Sequence, residues 1–312
     1  MPISHTPTQD FENALPKEKK KSGTSFRITE PQYGLADVIL PTSIRREVED
    51  VISLAENDDL IFNDWGLGQV IKHHNLCVNL YGASGTGKTM TAHGIARRLN
   101  KRLIVVNYAE MESKYVGETS KNIVALFECA EKNDAVILFD EADAMLSKRV
   151  TSIQSAADVS VNQTRNTLLK LMDEYTGIVV FTTNFIQNFD PAFFRRILSH
   201  IKFEMPDEDT RRKIWEHYLP PALPLQDRDS VIGEICKIEN VTGADISNTV
   251  LKAAIKAARY KEKITLKDIT ELVSQITEAK QDMEGKYEIK TRKVSAEYAM
   301  KQLDRGESHG VD

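Results

Sequence analysis

Four short, mainly apolar runs, at residues 76–80, 103–106, 135–139 and 178–181, alternate with longer stretches whose apolar residues recur every three to four positions. Runs of four or five such residues fit strands buried on both faces. The stretches 89–100, 120–132 and 163–174 have helical spacing. So does 41–55, where Ile44, Val48, Val51 and Ile52 share one face. Strands alternating with helices predict a parallel sheet covered on both sides. Residues 201–203 supply a fifth strand. Beyond Pro206-Asp207 the strand pattern stops, and 210–217, 230–236, 245–259 and 266–277 read as helices broken at Pro220-Pro221 and Gly243. The predicted fold class is therefore α/β: a five-stranded parallel sheet with helices on both faces at 33–206, then a small helical domain at 207–280. Residues 1–32 are polar, include the basic run Lys17-Glu18-Lys19-Lys20-Lys21, and are expected to be a disordered tail. Residues 281–312 form a highly charged C-terminal extension, and no internal repeat is visible.

Composition narrows the function classes. The chain has 312 residues, 41% hydrophobic and 28% charged, enough for a core and a solvated surface. Its net charge of -5 lacks the basic excess of a general nucleic-acid binder. The three cysteines, Cys77, Cys129 and Cys236, form no C-x-x-C pair and read as reduced core thiols of a cytoplasmic protein. The first residues lack an apolar signal region, and no apolar run approaches the ~20 residues of a membrane helix.

The strongest chemical signal is Gly82-Ala83-Ser84-Gly85-Thr86-Gly87-Lys88-Thr89, which fits G-x-x-x-x-G-K-[ST] at every fixed position. It leaves a predicted strand and opens a predicted helix. Glycines let the backbone curl so that successive N–H groups face a phosphate, and the helix adds its positive end. Lys88 then reaches the β- and γ-phosphates, the Thr89 hydroxyl ligates Mg²⁺, and Met90 follows inside the nucleotide-binding stretch.

The run 135–139 leads directly into Asp140-Glu141. A buried parallel strand delivers both carboxylates to the edge of the sheet where ligands bind. Asp140 is expected to hold Mg²⁺, and Glu141 to polarise the attacking water as general base. Taken alone, Asp140 also fits a helix cap after a core strand. Phe181-Thr182-Thr183-Asn184 ends another buried strand at the same edge, placing Asn184 where it hydrogen-bonds the γ-phosphate or the water.

These pieces, in this order and followed by helices, resemble the AAA+ ATPases, in particular the classical AAA branch, over roughly residues 33–278. The resemblance implies ATP and Mg²⁺ as ligands, a helical lid over the nucleotide and a homo-oligomeric ring, usually a hexamer. Asp190-Pro191-Ala192-Phe193-Phe194-Arg195-Arg196 is similar to the segment that supplies an arginine finger to a neighbouring subunit, and either Arg196 or Arg195 fits the role. Thr242-Gly243-Ala244-Asp245 resembles the start of the lid helix whose Gly243 and Ala244 backbone lies against the nucleotide. Asp37-Val38-Ile39 resembles the adenine-contacting entry segment. Ser113-Lys114-Tyr115-Val116-Gly117 matches the first pore loop, where Tyr115, flanked by Lys114 and Val116, would grip an extended polypeptide; an aromatic before a helix is otherwise a packing staple. Lys148, Arg149 and the polar stretch 150–161 fit a second pore loop or an ordinary surface loop, with Arg165 one helical turn later facing the subunit interface.

Protein remodelling is the leading function on this resemblance. A narrower subgroup, remodellers of HORMA-domain proteins of the pachytene-checkpoint type, is compatible with the pore stretch and Asp140-Glu141-Ala142-Asp143; in bacteria such proteins act in anti-phage signalling. A nucleic-acid loader shares the phosphate loop but would carry a basic segment in place of Tyr115. A non-catalytic ATP-binding scaffold is disfavoured by the intact Lys88, Asp140, Glu141 and Asn184.

Overall fold

A computed structural model describes residues 26–71, 75–107, 119–147, 156–186 and 189–285. The five expected parallel strands are β2 (Leu76–Gly82), β3 (Arg102–Asn107), β4 (Ala135–Asp140), β5 (Ile178–Thr183) and β6 (Ser199–Phe203). A sixth, β1 (Ile28–Thr29), was not expected. It pairs antiparallel to β3, Ile28 opposite Ile104 and Thr29 opposite Leu103, giving the order β1-β3-β4-β5-β2-β6. This strand adds to the five expected parallel ones and lies within the stretch expected as a tail. Two residues inside a polar stretch have no readable period; they become a strand by covering the open edge of β3, with Phe26 and Ile28 packed on the core.

The helices follow from one-sided apolar faces. Along β4 and β5 successive side chains alternate between two cores. Ile137, Phe139, Val179 and Phe181 face α3 (Thr119–Lys132) and α5 (Ala156–Glu174), through Ile123, Leu126, Leu168 and Met172. Val136, Leu138 and Val180 face α1 (Thr42–Glu56) and α2 (Lys88–Arg98), through Val48, Ile52, Ala92 and Ile95. The Phe139 and Phe181 rings stack at 5.2 Å and 9°; such a pair adds about 1 kcal/mol beyond area burial. A π-helical turn at Asp59–Asp64 and a 3-10 turn at Leu67–Gln69 follow α1; neither was legible in the sequence.

Short helices α4 (Asp143–Leu146) and α6 (Pro191–Phe194) follow β4 and precede β6. The lid comprises α7 (Glu208–Tyr218), α8 (Arg228–Ile235), α9 (Gly243–Tyr260) and α10 (Leu266–Gly285), closed around the fully buried Trp215. Each lid helix starts with a side-chain cap. Asp207 accepts from Thr210 N at 2.8 Å, and Asp227 from Ser230 N at 3.3 Å. Thr242 with Asp245, and Thr265 with Asp268, bond reciprocally. Such caps contribute about 1 kcal/mol each.

Candidate functional site

The ends of β2, β4 and β5 meet at one edge of the sheet, below the start of α9. A cavity of about 430 Å³ opens there, lined by Ser84 to Met90, Asp140, Glu141, Thr182, Asn184, Gly243 and Ala244 among others.

The loop at its floor is built on glycine. Gly82, Gly85 and Gly87 have φ of 135°, 78° and 98°, values that side chains resist. Two also have no room for a Cβ: at Gly82 it would lie 2.1 Å from the Phe203 carbonyl oxygen, and at Gly85 2.7 Å from Thr242 Oγ1 and 2.8 Å from Ala244 Cβ. The Ala244 N–H donates to the Gly85 carbonyl at 3.2 Å, so the loop and the lid touch directly. Helix α2 follows Gly87 with no side-chain cap. Its first-turn amides and positive end therefore face the cavity, an anion site by geometry.

Lys88 is only 8% exposed. Its ammonium donates to the carbonyls of Gly82 at 2.7 Å and Ala83 at 2.8 Å, and to Asn184 Oδ1 at 3.0 Å. Burial lowers its pKa from the ordinary lysine value, while Asp143, then Asp140 and Glu141, oppose that shift. Thr89 Oγ1 donates to Asp140 Oδ1 at 2.9 Å, and Thr182 Oγ1 donates to the same oxygen. A hydroxyl and a carboxylate joined this way are the hard oxygen donors that Mg²⁺ prefers. Among the described residues no group of three or more His, Cys, Asp and Glu could hold a metal. The donor set thus fits an ion bound by few protein ligands and completed by phosphate and water.

Glu141 has φ 54°, a left-handed turn that costs about 1–2 kcal/mol outside glycine. Its N–H donates to Thr182 Oγ1 at 3.0 Å and the Ala142 N–H to the Thr182 carbonyl at 2.9 Å, which holds the turn. The strand therefore ends abruptly, and the exposed Glu141 side chain lines the cavity beside Asn184.

Val38, Ile39, Ile214 and Tyr218 add apolar lining to the same cavity. Ile39 also packs against the lid core. The segment before it is fastened to α2: the Gln32 N–H donates to His93 Nδ1 at 3.1 Å, which fixes a neutral ring, and burial lowers the His93 pKa.

The structure thus brings together Gly82 to Met90, Asp140, Glu141, Asn184, Gly243 and Ala244. Arg195 and Arg196 do not line the cavity. Arg196 is spent inside the chain: Nε and Nη2 donate to the two Asp173 oxygens at 2.8 Å each, and Nη1 to the Ala192 carbonyl at 3.1 Å. Arg195 is exposed. The expectation that Arg165 faces an interface is corrected. It is 4% exposed, and its Nη2 donates to the Ala144 carbonyl and Ser147 Oγ, both at 2.8 Å. Lys114, Tyr115, Val116 and residues 148–155 lie outside the described residues. Sequence reasoning missed the roles of Thr182, Asp143 and Tyr218; Thr182 and Asp143 stood inside quoted motifs, but their bonds cross between strand ends and leave no linear pattern.

A family model for the ATPase family associated with various cellular activities (AAA) matches residues 78–205. A proteasome-activating nucleotidase of Methanococcus maripaludis is 32% identical over 277 residues, covering 86% of this chain and 66% of the relative. That of Methanococcus vannielii is 31% identical over 280 residues, covering 86% and 67%. That of Saccharolobus solfataricus is 31% identical over 250 residues, covering 77% and 61%. The chain spans about two thirds of the length of the curated relatives it matches. Among solved structures, a FIGL-1 AAA domain superposes with TM-score 0.66 at 21% identity, covering 80% of this chain and 86% of that one. Its complex with ADP gives 0.65.

Proposed function

The chain belongs to the AAA family, and from that premise we propose that it hydrolyses ATP, with Mg²⁺, to remodel a protein substrate as a homo-oligomeric ring, of the hexameric kind. The observation that carries this reading is the single cavity in which Lys88, Thr89, Asp140, Glu141 and Asn184 converge beneath Gly243 and Ala244. Substrate phosphates would take the uncapped start of α2. Lys88 would exchange the neutral Gly82 and Ala83 carbonyls for anionic phosphate oxygens, so that both partners of the bond are charged. Thr89 and Asp140 would hold Mg²⁺, which supplies charge neutralisation on the phosphate oxygens. Glu141 would take the proton of the attacking water and Asn184 would orient that water, both on backbone already fixed by Thr182 and Asp143.

Of the two candidate fingers, Arg195 suits transfer to a neighbouring copy because it is exposed, while Arg196 is committed to Asp173. Arg195→Ala is expected to reduce turnover on the order of 100-fold or more with unchanged thermal stability. Arg196→Ala is expected to lower the melting temperature instead. Loss of turnover only in the Arg196 variant would reverse the assignment.

Tyr115, with Lys114 and Val116, would contact the polypeptide in the pore, a role that rests on its place ahead of α3. The narrower target, a HORMA-domain complex in bacterial anti-phage signalling, rests on the resemblance of the pore stretch and the strand end. A second reading, an unfoldase that feeds a protease, is favoured by the identity to proteasome-activating nucleotidases. Capture with Glu141→Gln in ATP, from the native cells, separates these readings. A protein partner lost on adding Tyr115→Ala supports remodelling: a HORMA-domain protein supports the first target, and protease subunits support the second. Nuclease-sensitive DNA or RNA, indifferent to Tyr115→Ala, would overturn the pore reading in favour of a loader acting on nucleic acid.

A further inference from the structure

Strand β5 loses its partner on the β4 side before it reaches the cavity. The last paired residues are Phe139 and Phe181, three positions short of Asn184. The Asn184 and Phe185 amides then leave the sheet, where each needs another acceptor. The Asp143 carboxylate supplies it. Oδ1 accepts from Asn184 N at 3.1 Å and from Phe185 N at 3.0 Å, and Oδ2 lies 3.2 Å from Asn184 N. The carboxylate stands on a rigid base. Met145 and Leu146 of α4 are fully buried, the Ala142 N–H is tied to Thr182, and the Asp190 N–H donates to the Leu146 carbonyl at 2.9 Å. On its other side Asn184 presents Oδ1 to Lys88 at 3.0 Å.

We propose that Asp143 is the positioning residue of the site: by gripping the two amides past the end of β5 it sets where the Asn184 side chain points, and through Asn184 it links the acidic turn to Lys88. This rests on the ATPase reading above and adds a residue to it. With Asp143 in place, the Asn184 amide has one defined position: Oδ1 accepts from Lys88 before phosphate binds, and afterwards Nδ2 would donate to the γ-phosphate while Oδ1 would accept from the water. Without it the peptide at 184–185 is free to rotate, and a displaced hydrogen-bonding group loses most of its effect on a transition state.

Two substitutions separate position from charge. Both amides reach the single oxygen Oδ1, so the amide oxygen of Asp143→Asn can keep both bonds while the charge is lost. Asp143→Ala keeps neither. Asp143→Ala is expected to lower kcat about 10- to 100-fold and to leave ADP affinity within about threefold, since ADP lacks the phosphate that Asn184 would meet. Asp143→Asn should retain kcat within about threefold. In an Asn184→Ala background, Asp143→Ala should add almost nothing, because the two act as one unit. A readout that needs no turnover uses Glu141→Gln: the ratio of ATP to ADP affinity should fall on adding Asp143→Ala to the value given by Asn184→Ala. If Asp143→Ala does not fold, Asp143→Ser, with one short acceptor, enters the same cycle. Equal damage from Asn and Ala, additive losses with Asn184→Ala, or parallel loss of ADP binding would overturn the assignment. An inactive wild type would instead overturn the ATPase reading, with the affinity ratio still testing Asp143.

Discussion

The two halves of the cavity treat their helix ends in opposite ways. In the lid, every helix closes its own N-terminus with Asp or Thr, and two do so reciprocally. In the large domain, α2 follows a left-handed glycine with no side-chain cap, and β4 gives way to Glu141 in a conformation rare outside glycine. The lid helices thus satisfy their own N-terminal ends, around a core that holds Trp215. The sheet edge keeps unsatisfied donors and strained backbone, held there by the surrounding β-strands. A bound phosphate would complete the sheet edge, and the lid touches that edge through the Ala244–Gly85 bond and through Ile39, which packs on the lid core.

The largest effect should come from breaking the unsatisfied side. Lys88→Ala removes the cation next to the uncapped helix, and nucleotide affinity by titration with a fluorescent ATP analogue should fall at least about 100-fold. Stability in the absence of nucleotide should change little, because the three acceptors of Lys88 can be rehydrated at the cavity. Retained affinity would mean that the helix end alone binds the phosphates.

Next comes the junction. Gly85→Ala places a Cβ against Thr242 Oγ1 and Ala244 Cβ at a φ of 78°, so the lid must retreat from the loop. Affinity should drop about 10-fold while the lid's own melting is preserved. Thr242→Ala tests the self-satisfied side: it should destabilise by about 1 kcal/mol, visible as a lower melting temperature. Its effect on nucleotide affinity should be smaller than that of Gly85→Ala, and the reverse order would erase the contrast between the halves.

The smallest effect is the acid sensitivity that the large domain shows between neutral pH and about pH 5.5. Burial depresses the pKa of His93 and of His200, both outside the lid. The neutral rings are favoured in the folded state, so below about pH 6.5 the unfolded chain binds more protons and stability falls as pH drops. The melting temperature should decrease by about 2–4 °C between neutral pH and about pH 5.5. His93→Gln should flatten that slope, whereas a slope unchanged by this substitution would place the titration elsewhere.

How much of this was legible in the sequence also divides along the same line. The five parallel strands, the four lid helices and the residues of the phosphate loop followed from apolar period and one tightly spaced motif. Asp140 and Glu141 were legible because a buried strand has to end where its apolar run ends. β1 was not, since two residues gain their structure only from the edge of β3. Arg196 was read as one of two candidate fingers, and its pairing with Asp173, 23 positions away on α5, carries no mark in the sequence. Asp143 was quoted without a role for the same reason: its bonds are to backbone amides, and those carry no side-chain signature in sequence.

Phosphate release from ATP by the wild-type chain and by Glu141→Gln, with bound nucleotide measured in the same samples, decides whether Glu141 drives hydrolysis. Steady turnover is expected in the wild type, and undiminished ATP binding without turnover in the variant. A wild type that binds ATP and never releases phosphate, or a variant that turns over as fast as the wild type, would contradict that role.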